Sequence, residues 1–460
     1  MLVLAVWQRG WLMLALAGVG AAHAASVAPV AAENGMVVTA QHLATKVGVD
    51  VLRHGGNAVD AAVAVGYALA VVYSAAGNLG GGGFMTLHLA DGRETFLDFR
   101  EKAPLAATPD MYLGPDGQVV PGRSTRGHLA VAVPGTVSGL ELARSRYGTR
   151  PRAALIAPAL AYAEKGFVLD AGDAALLATA TDAFRQDPAS AAIFLNRGRP
   201  FEAGQTLVQR DLAKTLRAIA QRGPDGFYQG PVATALVASS RAGGGLIRQA
   251  DLDQYRTREL KPITCDYRGL RVVSAPPPSS GGVVLCEMLQ VLEGYPLKEW
   301  GWGSARAVHH QIEAMRHAYV DRNTYLGDPD FVDNPVERLL DKGYAAQIRA
   351  VIDPAKAGAS RDLRPGVPPH EPHEGNNTTH YSVVDRWGNA VSVTYTLNDW
   401  FGAKVTAAGT GVLLNNEMDD FTIKPGVPNL YGLVQGQANA IAPGKRPLSS
   451  MSPTLLTRGG

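Results

Sequence analysis

The stretch Asn377-Thr378-Thr379-His380-Tyr381-Ser382 joins two unlike parts of the chain. Residues 355–377, which lead into it, are rich in proline, glycine and charged residues and show no apolar periodicity. Such a composition is typical of a flexible, protease-accessible linker. The residues that follow alternate between apolar and polar, which indicates a β-strand. The sequence therefore predicts that an ordered strand begins at Thr378, directly after a flexible leader.

A threonine at such a junction has a chemical use if the chain is cut in front of it. The hydroxyl of an internal threonine is a poor nucleophile, because it needs a base beside it. Cleavage between Asn377 and Thr378 would give Thr378 a free α-amine with a pKa of about 7.7–8.0. That amine can accept the hydroxyl proton, so one residue would supply both nucleophile and base. On these residues alone, a Thr-Thr pair in an ordinary strand is the commoner explanation.

The segment after Thr378 predicts a β-hairpin. The turn Trp387-Gly388-Asn389 separates the first strand from a second one, in which apolar and polar residues alternate from Val391 to Tyr395. The two-residue period predicts that three polar side chains share one face of the second strand: Thr394, Thr396 and Asn398.

Two helices and a second hairpin are predicted near the N-terminus. Residues 42–54 have the periodicity of an amphipathic helix, and Asn57 is a suitable cap for a second helix at residues 58–72. Strands are expected at residues 84–89 and 95–99. These patterns indicate a mixed α/β fold and do not by themselves show how its layers are arranged.

Five motifs, in this order, resemble those of the γ-glutamyltranspeptidase (glutathione hydrolase) family. They are Ala76-Gly77-Asn78-Leu79-Gly80-Gly81-Gly82-Gly83-Phe84, Asp98-Phe99-Arg100-Glu101, the hairpin from Thr378 to Asn398, Leu413-Leu414-Asn415-Asn416-Glu417-Met418-Asp419-Asp420-Phe421 and Lys445-Arg446-Pro447-Leu448-Ser449-Ser450-Met451-Ser452-Pro453. The resemblance runs from about Gly35 to the last residue. It implies an α/β (α+β) N-terminal-nucleophile hydrolase, a four-layer αββα sandwich with the nucleophile at the start of a central strand.

The resemblance implies a self-cleaving γ-glutamyl transferase or hydrolase in which Thr378 is the catalytic nucleophile. Cleavage at Asn377–Thr378 would yield a heavy segment, residues 25–377, and a light segment, residues 378–460, which remain together as a heterodimer. Thr378 would then accept the γ-glutamyl group of glutathione or a related compound and pass it to water or to an amino acid or peptide. Thr396 matches the family threonine that hydrogen-bonds the nucleophile and tunes it.

The resemblance also assigns residues to the substrate. Three side chains would accept hydrogen bonds from its α-ammonium group: Asn398, Glu417 and Asp420. Three others would donate to its α-carboxylate: Arg100, Ser449 and Ser450. Tyr431 matches the gating tyrosine of a lid. Taken singly, these residues have commoner explanations, such as a surface ion pair or a turn between prolines, and it is the motifs around them that favour a site.

Composition and spacing argue against several other classes of function. A net charge of +2 over 460 residues gives no argument for binding nucleic acid or an anionic membrane. The run Gly80–Gly83 lacks the Lys-Ser/Thr of a phosphate loop, and close backbone packing explains it better. The run Glu371-Pro372-His373-Glu374 lacks the two-histidine spacing of a zinc protease. We therefore expect neither a cofactor nor a metal ion. Cys265 and Cys286 could form a disulfide, although Cys286 fits a buried core thiol equally well.

The N-terminus predicts export. Arg9 precedes the apolar stretch Trp11–Ala22, and Ala22-His23-Ala24 matches a small-x-small cleavage pattern, so residues 1–24 are expected to be a signal peptide. The stretch is too short to span a bilayer, which needs about 20 apolar residues, and an uncleaved anchor is the alternative. No stable membrane span is expected elsewhere, and the expected location is the periplasm or the exterior.

The C-terminus leaves alternatives open. Family members continue beyond the position of Gly460 with further strands and a Gly-Gly pair that forms the oxyanion hole, and Gly459-Gly460 does not match that pair. The resemblance therefore implies a C-terminally incomplete chain. Two alternatives to the glutathione-type enzyme follow: a β-lactam (glutaryl or cephalosporin) acylase of the same superfamily, and a catalytically inactive, truncated remnant.

Overall fold

A computed structural model describes residues 29–359 and 378–458 of the chain. The strands within these ranges are β1 (Gly35–Val38), β2 (Gly82–His88), β3 (Glu94–Phe99), β4 (Phe167–Val168), β5 (Thr206–Leu207), β6 (Arg258–Leu260), β7 (Ile263–Tyr267), β8 (Leu270–Ser274), β9 (Thr378–Asp385), β10 (Ala390–Thr396), β11 (Thr406–Ala407), β12 (Val412–Leu413) and β13 (Leu455–Thr457).

The helices are α1 (His42–Arg53), α2 (Ala58–Val72), α3 (Thr136–Tyr147), α4 (Arg152–Lys165), α5 (Ala171–Ala178), α6 (Thr181–Gln186), α7 (Pro188–Phe194), α8 (Arg210–Arg222), α9 (Asp225–Tyr228), α10 (Gly230–Ala242), α11 (Gln249–Gln254), α12 (Gly281–Glu293), α13 (Leu297–Trp300), α14 (Ala305–Tyr325), α15 (Val336–Leu339) and α16 (Lys342–Val351). Short 3-10 turns lie at His128–Ala130, Glu417–Asp420 and Gln437–Asn439. None of the helices in the described ranges is both long and apolar enough to cross a bilayer.

The predicted hairpin supplies two interior strands of a six-stranded antiparallel sheet with the order β1-β9-β10-β2-β3-β6. In this register Thr378 lies opposite Thr396, and Thr396 lies opposite Gly82 on its other side. Gly83 in turn lies opposite Phe99. The start of β9, the end of β10, the start of β2 and the end of β3 therefore meet at one edge of the sheet. The predicted hairpin is confirmed: burial alternates along β9, whereas β10 is buried on both of its faces.

Helices cover one face of this sheet. The helix α2 is buried along its whole length and packs against β9 and β10. Its start is fixed as the sequence predicted: the side chain of Asn57 accepts the N–H of Asp60, and the Asp60 carboxylate accepts the N–H of Asn57. The apolar side chains on this face of the hairpin, such as Tyr381 and Val393, join α2 in the main core.

A second sheet faces the other side. It has the order β13-β8-β7, and α12 packs on it from outside, followed by α14 and α16. Between the two sheets lies a smaller apolar cluster in which Phe84 and Phe96 stack and contact Ala275 and Met451. The layers therefore run helix, sheet, sheet, helix, which is the αββα arrangement that the resemblance implied. A disulfide between Cys265 and Cys286 links β7 to α12 and settles a question that the sequence left open.

The glycine run allows backbones to approach closely beneath the site edge. A Cβ on Gly81 would lie 2.1 Å from the carbonyl oxygen of Thr396, and one on Gly83 would lie 2.4 Å from that of Thr394. A Cβ on Gly80 would lie 2.0 Å from the carbonyl oxygen of Leu413. Any side chain would force these strands apart, so the prediction of a packing role for the glycines is confirmed.

Candidate functional site

The two threonine hydroxyls of the hairpin lie side by side. Thr378 is the first residue of β9 and is exposed, whereas Thr396, directly opposite, is buried. The hydroxyl of Thr378 donates to Oγ1 of Thr396 over 3.3 Å, and Thr396 Oγ1 also accepts the N–H of Asn398 over 2.9 Å. The hydroxyl of Thr396 is thus held in place beside that of Thr378. Asn377, the other residue of the predicted cleavage site, lies outside the described residues.

The predicted position of Asn398 was wrong. The sequence placed it on the same strand face as Thr394 and Thr396, but β10 ends at Thr396 and Asn398 has a φ of +77°. This left-handed conformation, which asparagine tolerates better than most residues, turns the chain away from the sheet. The side-chain amide of Asn398 then donates to the carbonyl of Asn416 over 3.0 Å. Asn398 is thereby tied to the turn that carries Glu417.

Arg100 lies at the centre of a buried cluster of charges. Its side chain is fully buried and donates to the carboxylates of Glu417 and Asp420. Glu101 lies next to it, with Oε2 at 3.6 Å from Nη1 of Arg100. Arg100 was predicted to bind the α-carboxylate of a substrate; in the structure it contacts Glu417 and Asp420, two of the three residues that were predicted to bind the ammonium group.

The cluster shifts the protonation of its members. Burial raises the pKa of Glu101 to about 7, against the pull of Arg100. Burial also raises the pKa of Glu417 well above its usual range, although Arg100 opposes this effect. For Arg100 itself, burial disfavours the charged form, but the attraction of Glu417 and Asp420 outweighs it and raises the pKa. The site therefore holds a guanidinium surrounded by more carboxyl groups than it can neutralise.

Backbone contacts hold Arg100 at the end of β3. Its N–H donates to Oδ1 of Asp98 over 2.9 Å, and its carbonyl accepts the hydroxyl of Tyr255 over 2.8 Å. Its Nε donates to the carbonyl of Pro447 over 3.2 Å. This last contact brings the segment that carries Ser449 and Ser450 to the guanidinium.

The two serines have different surroundings. Ser449 is buried; its Oγ accepts the N–H of Met451 over 3.0 Å, and its carbonyl accepts hydrogen bonds from Ser280. Ser450 is exposed. No hydrogen bond joins either serine hydroxyl to Arg100 in the described part of the chain, and the hydrogen bond to Pro447 is what ties this segment to the guanidinium.

A loop after Phe421 carries Tyr431 back to the hairpin. The hydroxyl of Tyr431 donates to the carbonyl of Asn398 over 2.6 Å. Asp419 fastens the same loop, because its carboxylate accepts the N–H of Leu430 over 2.8 Å and the hydroxyl of Ser124 over 2.6 Å. Burial raises the pKa of Asp419 to about 6. Asp419 was missed as a separate residue, since the sequence assigned only its neighbour Asp420.

Two further residues were missed although they lie within the quoted motifs. Glu101 follows Arg100 directly, and its burial could not be read from the sequence. Asn78 precedes the glycine run; its amide donates to the carbonyl of Thr396 over 2.8 Å, and its oxygen accepts the N–H of Gly81 over 3.0 Å. A signal for Asn78 was present in the sequence, because a polar residue between Gly77 and the run Gly80–Gly83, where the backbone was expected to pack closely, needs hydrogen-bond partners.

These residues have the functional groups that acyl transfer and the binding of an amino-acid head group require. Paired hydroxyls lie at the strand edge, and a guanidinium with carboxylates lies at the same edge of the sheet. Guanidinium and carboxylate groups together can recognise a carboxylate and an ammonium group on one ligand. Within residues 29–359 and 378–458, no three His, Cys, Asp or Glu side chains lie close enough together to hold a metal ion.

Comparison with known proteins assigns the chain to a family. The gamma-glutamyltranspeptidase family model matches residues 44–460. The chain is 71% identical over 439 residues to a glutathione hydrolase proenzyme of Pseudomonas sp. (strain A14), covering 95% of this chain and 76% of that relative.

Solved structures agree with the family model. The gamma-glutamyltranspeptidase of Helicobacter pylori is 43% identical, with a TM-score of 0.73, and covers 76% of this chain and all of its own. A cephalosporin acylase from Bacillus halodurans is 30% identical, with a TM-score of 0.80, over 94% of this chain and 77% of that one. The chain therefore belongs to the γ-glutamyltranspeptidase family and has the N-terminal-nucleophile hydrolase fold.

Proposed function

We propose that this chain is made as a precursor, cleaves itself before Thr378, and transfers γ-glutamyl groups from glutathione and related amides to water, amino acids or peptides. The observation that carries the proposal is the pairing of the Thr378 and Thr396 hydroxyls at the strand edge where Arg100, Glu417 and Asp420 also lie. The similarity to a protein named glutathione hydrolase proenzyme supports both the substrate class and the precursor.

The first reaction is intramolecular. Oγ1 of Thr378 attacks the carbonyl carbon of Asn377, the peptide C–N bond breaks, and the nitrogen leaves as the α-amine of Thr378. The resulting ester is hydrolysed by water, which returns the Thr378 hydroxyl and leaves a carboxylate on Asn377. The exposed position of Thr378 at the first residue of β9 supports this step, because water must reach the ester.

The second reaction uses the freed residue. The α-amine of Thr378 takes the hydroxyl proton while Oγ1 attacks the γ-carbonyl carbon of the substrate. The amide C–N bond breaks, the amine of the leaving group receives that proton, and a γ-glutamyl ester remains on Thr378. Water or an acceptor amine then attacks this ester. Thr396 orients the hydroxyl through the 3.3 Å hydrogen bond and is itself held by the N–H of Asn398.

The charged cluster would bind the glutamate head group by an exchange of partners. Glu417 and Asp420, which contact Arg100 in the structure, would turn to the ammonium group with Asn398. Arg100 would then hold the α-carboxylate with Ser449 and Ser450, and Tyr431 would close over the donor. All of these residues would contact the glutamate head group and none of them the leaving amine, so many γ-glutamyl donors would fit.

The sheet order supports a stable pair of segments after cleavage. The heavy segment, residues 25–377, contributes β1, β2 and β3, whereas the light segment, residues 378–460, contributes β9 and β10. The two light-segment strands lie between β1 and β2. Hydrogen bonds on both sides of this insertion would hold the two pieces together without a covalent link.

Export is part of the proposal. The signal peptide predicted at residues 1–24 lies outside the described residues. The disulfide between Cys265 and Cys286 supports an oxidising compartment such as the periplasm, because structural disulfides are rare in the cytosol. Mass spectrometry of the N-terminal peptide, from protein expressed in a Gram-negative cell, tests the cleavage after Ala24.

Intact-mass analysis of the purified chain, with Thr378→Ala as the matched control, tests the proposal first. Two fragments that meet at Asn377/Thr378 in the parent, and one uncut chain in the variant, are the expected result. Hydrolysis of γ-glutamyl-p-nitroanilide should then exceed that of glutaryl-p-nitroanilide. The reverse preference would favour the acylase alternative, which the similarity to the cephalosporin acylase supports. An uncut chain in both samples would favour the inactive remnant.

A further inference from the structure

Arg322, near the end of α14, is a buried guanidinium that the reaction scheme leaves unused. Its side chain is 2% exposed. Its acceptors are all neutral: Ser280 Oγ at 3.2 Å, Asn323 Oδ1 at 2.8 Å and Gln435 Oε1 at 2.8 Å. Burial lowers the pKa of Arg322, yet an arginine keeps its proton in proteins. Burying a charge costs free energy, so we looked for a role of Arg322 in the groups to which it donates hydrogen bonds.

One branch of its contacts leads to Ser449. Nε of Arg322 donates to Oγ of Ser280. Both the hydroxyl and the backbone N–H of Ser280 donate to the carbonyl of Ser449, each over 2.8 Å. Ser280 is 1% exposed, and Ser449 is 3% exposed. The position of the Ser449-Ser450 backbone is therefore fixed from behind by a relay that starts at the guanidinium.

The other branch leads to Asp420. Nη1 of Arg322 donates to Oε1 of Gln435, whose amide nitrogen donates to the carbonyl of Asp420 over 2.9 Å. Asn439 reinforces this branch, since its amide donates to the same carbonyl over 2.6 Å and to Gln435 Oε1 over 3.0 Å. The planar fork of one guanidinium thus reaches both branches, which a lysine could not do with the same geometry.

We propose that Arg322 is a positioning residue that sets the spacing between the two halves of the head-group site, the Ser449 half and the Asp420 half. This inference rests on the proposed function, because it requires those halves to bind a carboxylate and an ammonium group. Arg322 itself touches neither Thr378 nor Arg100. It acts through Ser280 on one side and through Gln435 on the other.

Binding of three simple probes to the purified full chain, measured by calorimetry, tests the inference without turnover. L-glutamate carries both head-group charges, glutarate lacks the ammonium group, and 4-aminobutyrate lacks the α-carboxylate. Arg322→Met should weaken L-glutamate binding by about tenfold or more, because both branches lose their donor. Arg322→Lys should weaken it less, since one branch can keep a donor. Ser280→Ala should weaken L-glutamate and glutarate by about threefold and leave 4-aminobutyrate unchanged.

Arg349→Met is the matched control. Arg349 lies on α16 in the same helical layer and donates to the carbonyl of Gln290 over 2.8 Å, away from the site. In γ-glutamyl-p-nitroanilide assays, the Arg322 variants should raise KM with kcat within about threefold of the parent, whereas a general loss of folding would lower both activity and the unfolding temperature.

The inference is overturned if Arg322→Lys and Ser280→Ala bind L-glutamate within twofold of Arg349→Met. These two variants decide the matter even if Arg322→Met fails to fold. Absence of L-glutamate binding by the parent chain would overturn the head-group assignment and this inference with it. Self-cleavage at Thr378 reports separately on the nucleophile, so the two failures are distinguishable.

Discussion

Replacing Glu101 by glutamine should stabilise the protein at pH 8 and have little effect at pH 5. Glu101 is fully buried, and both of its side-chain oxygens lack a hydrogen-bond partner in the described part of the chain. Arg100 lies 3.6 Å away but is already engaged by Glu417 and Asp420. The ionised form of Glu101 is therefore poorly compensated, whereas glutamine has the shape of the protonated form and carries no charge.

The size of the effect follows from the pKa of Glu101, which burial raises from its usual 4.5 to about 7 in the folded chain. Between these two values the folded state binds more protons than the unfolded state, so stability falls as the pH rises. At 1.36 kcal/mol per pH unit, the penalty reaches about 3 kcal/mol at pH 8 and stays below about 1 kcal/mol at pH 5. For a folded chain of about 400 residues, a change of about 3 kcal/mol in the free energy of unfolding shifts the unfolding midpoint by about 3 °C.

Thermal unfolding at pH 5 and pH 8, followed by circular dichroism, measures this difference. Both chains should carry Thr378→Ala, which keeps every sample in one covalent state. Glu141→Gln is a control of opposite sign: although burial opposes it, hydrogen bonds from Arg152 and Arg144 lower the pKa of Glu141. Loss of the Glu141 carboxylate should destabilise the protein at pH 8 and lower its stability less at pH 5. A midpoint difference for Glu101→Gln that is equal at both pH values would refute the reasoning.

Three further predictions concern the hairpin, the loop that carries Tyr431 and the disulfide. Thr396→Val should lower kcat for γ-glutamyl-p-nitroanilide by about tenfold or more, because the Thr378 hydroxyl loses its partner; an unchanged kcat would contradict this role. Tyr431→Phe removes the hydrogen bond to the carbonyl of Asn398 and should raise KM about fivefold with kcat nearly constant; a selective loss of kcat would place the tyrosine in the chemical step instead. Replacing both Cys265 and Cys286 by alanine should lower the free energy of unfolding by about 3 kcal/mol, because the disulfide joins cysteines 21 residues apart. The loss would be measured as a lower unfolding midpoint. If dithiothreitol leaves the midpoint of the oxidised parent unchanged, the disulfide does not stabilise the protein in this way.

The hairpin and the two N-terminal helices could be predicted because their signals are local. Alternation fixes a strand within a few residues, and Asn57 marks the start of α2 by its own capping chemistry. The neighbours of the hairpin could not be predicted in this way. The strand β10 pairs with β2, which lies about three hundred residues earlier in the chain, and no local pattern records that register.

The errors and omissions at the site have the same physical origin. Asn398 was assigned to the wrong face because a period of two holds only while the strand continues, and β10 stops at Thr396. The disulfide stayed undecided because the distance between two cysteines is a tertiary property. Arg322 carried no sequence signal at all, since an arginine near the end of a helix is usually solvated. The role proposed for it rests only on its burial and on the two branches of its contacts.

The pairing of β9 is consistent with the role proposed for Thr378, because it would leave a nucleophile at this position both fixed and accessible. On one side, residues 378–384 pair with β10 without interruption. On the other side, β1 pairs only with residues 382–385, so in the described part of the chain the first four residues of β9 have a paired neighbour on one side alone. In the proposed reaction, the ladder to β10 would keep Thr378 opposite Thr396 before and after the cut, and the side without a paired strand would admit water or an acceptor amine. An N-terminal nucleophile requires this combination, because its α-amine and hydroxyl must keep their positions once the chain that preceded them is released.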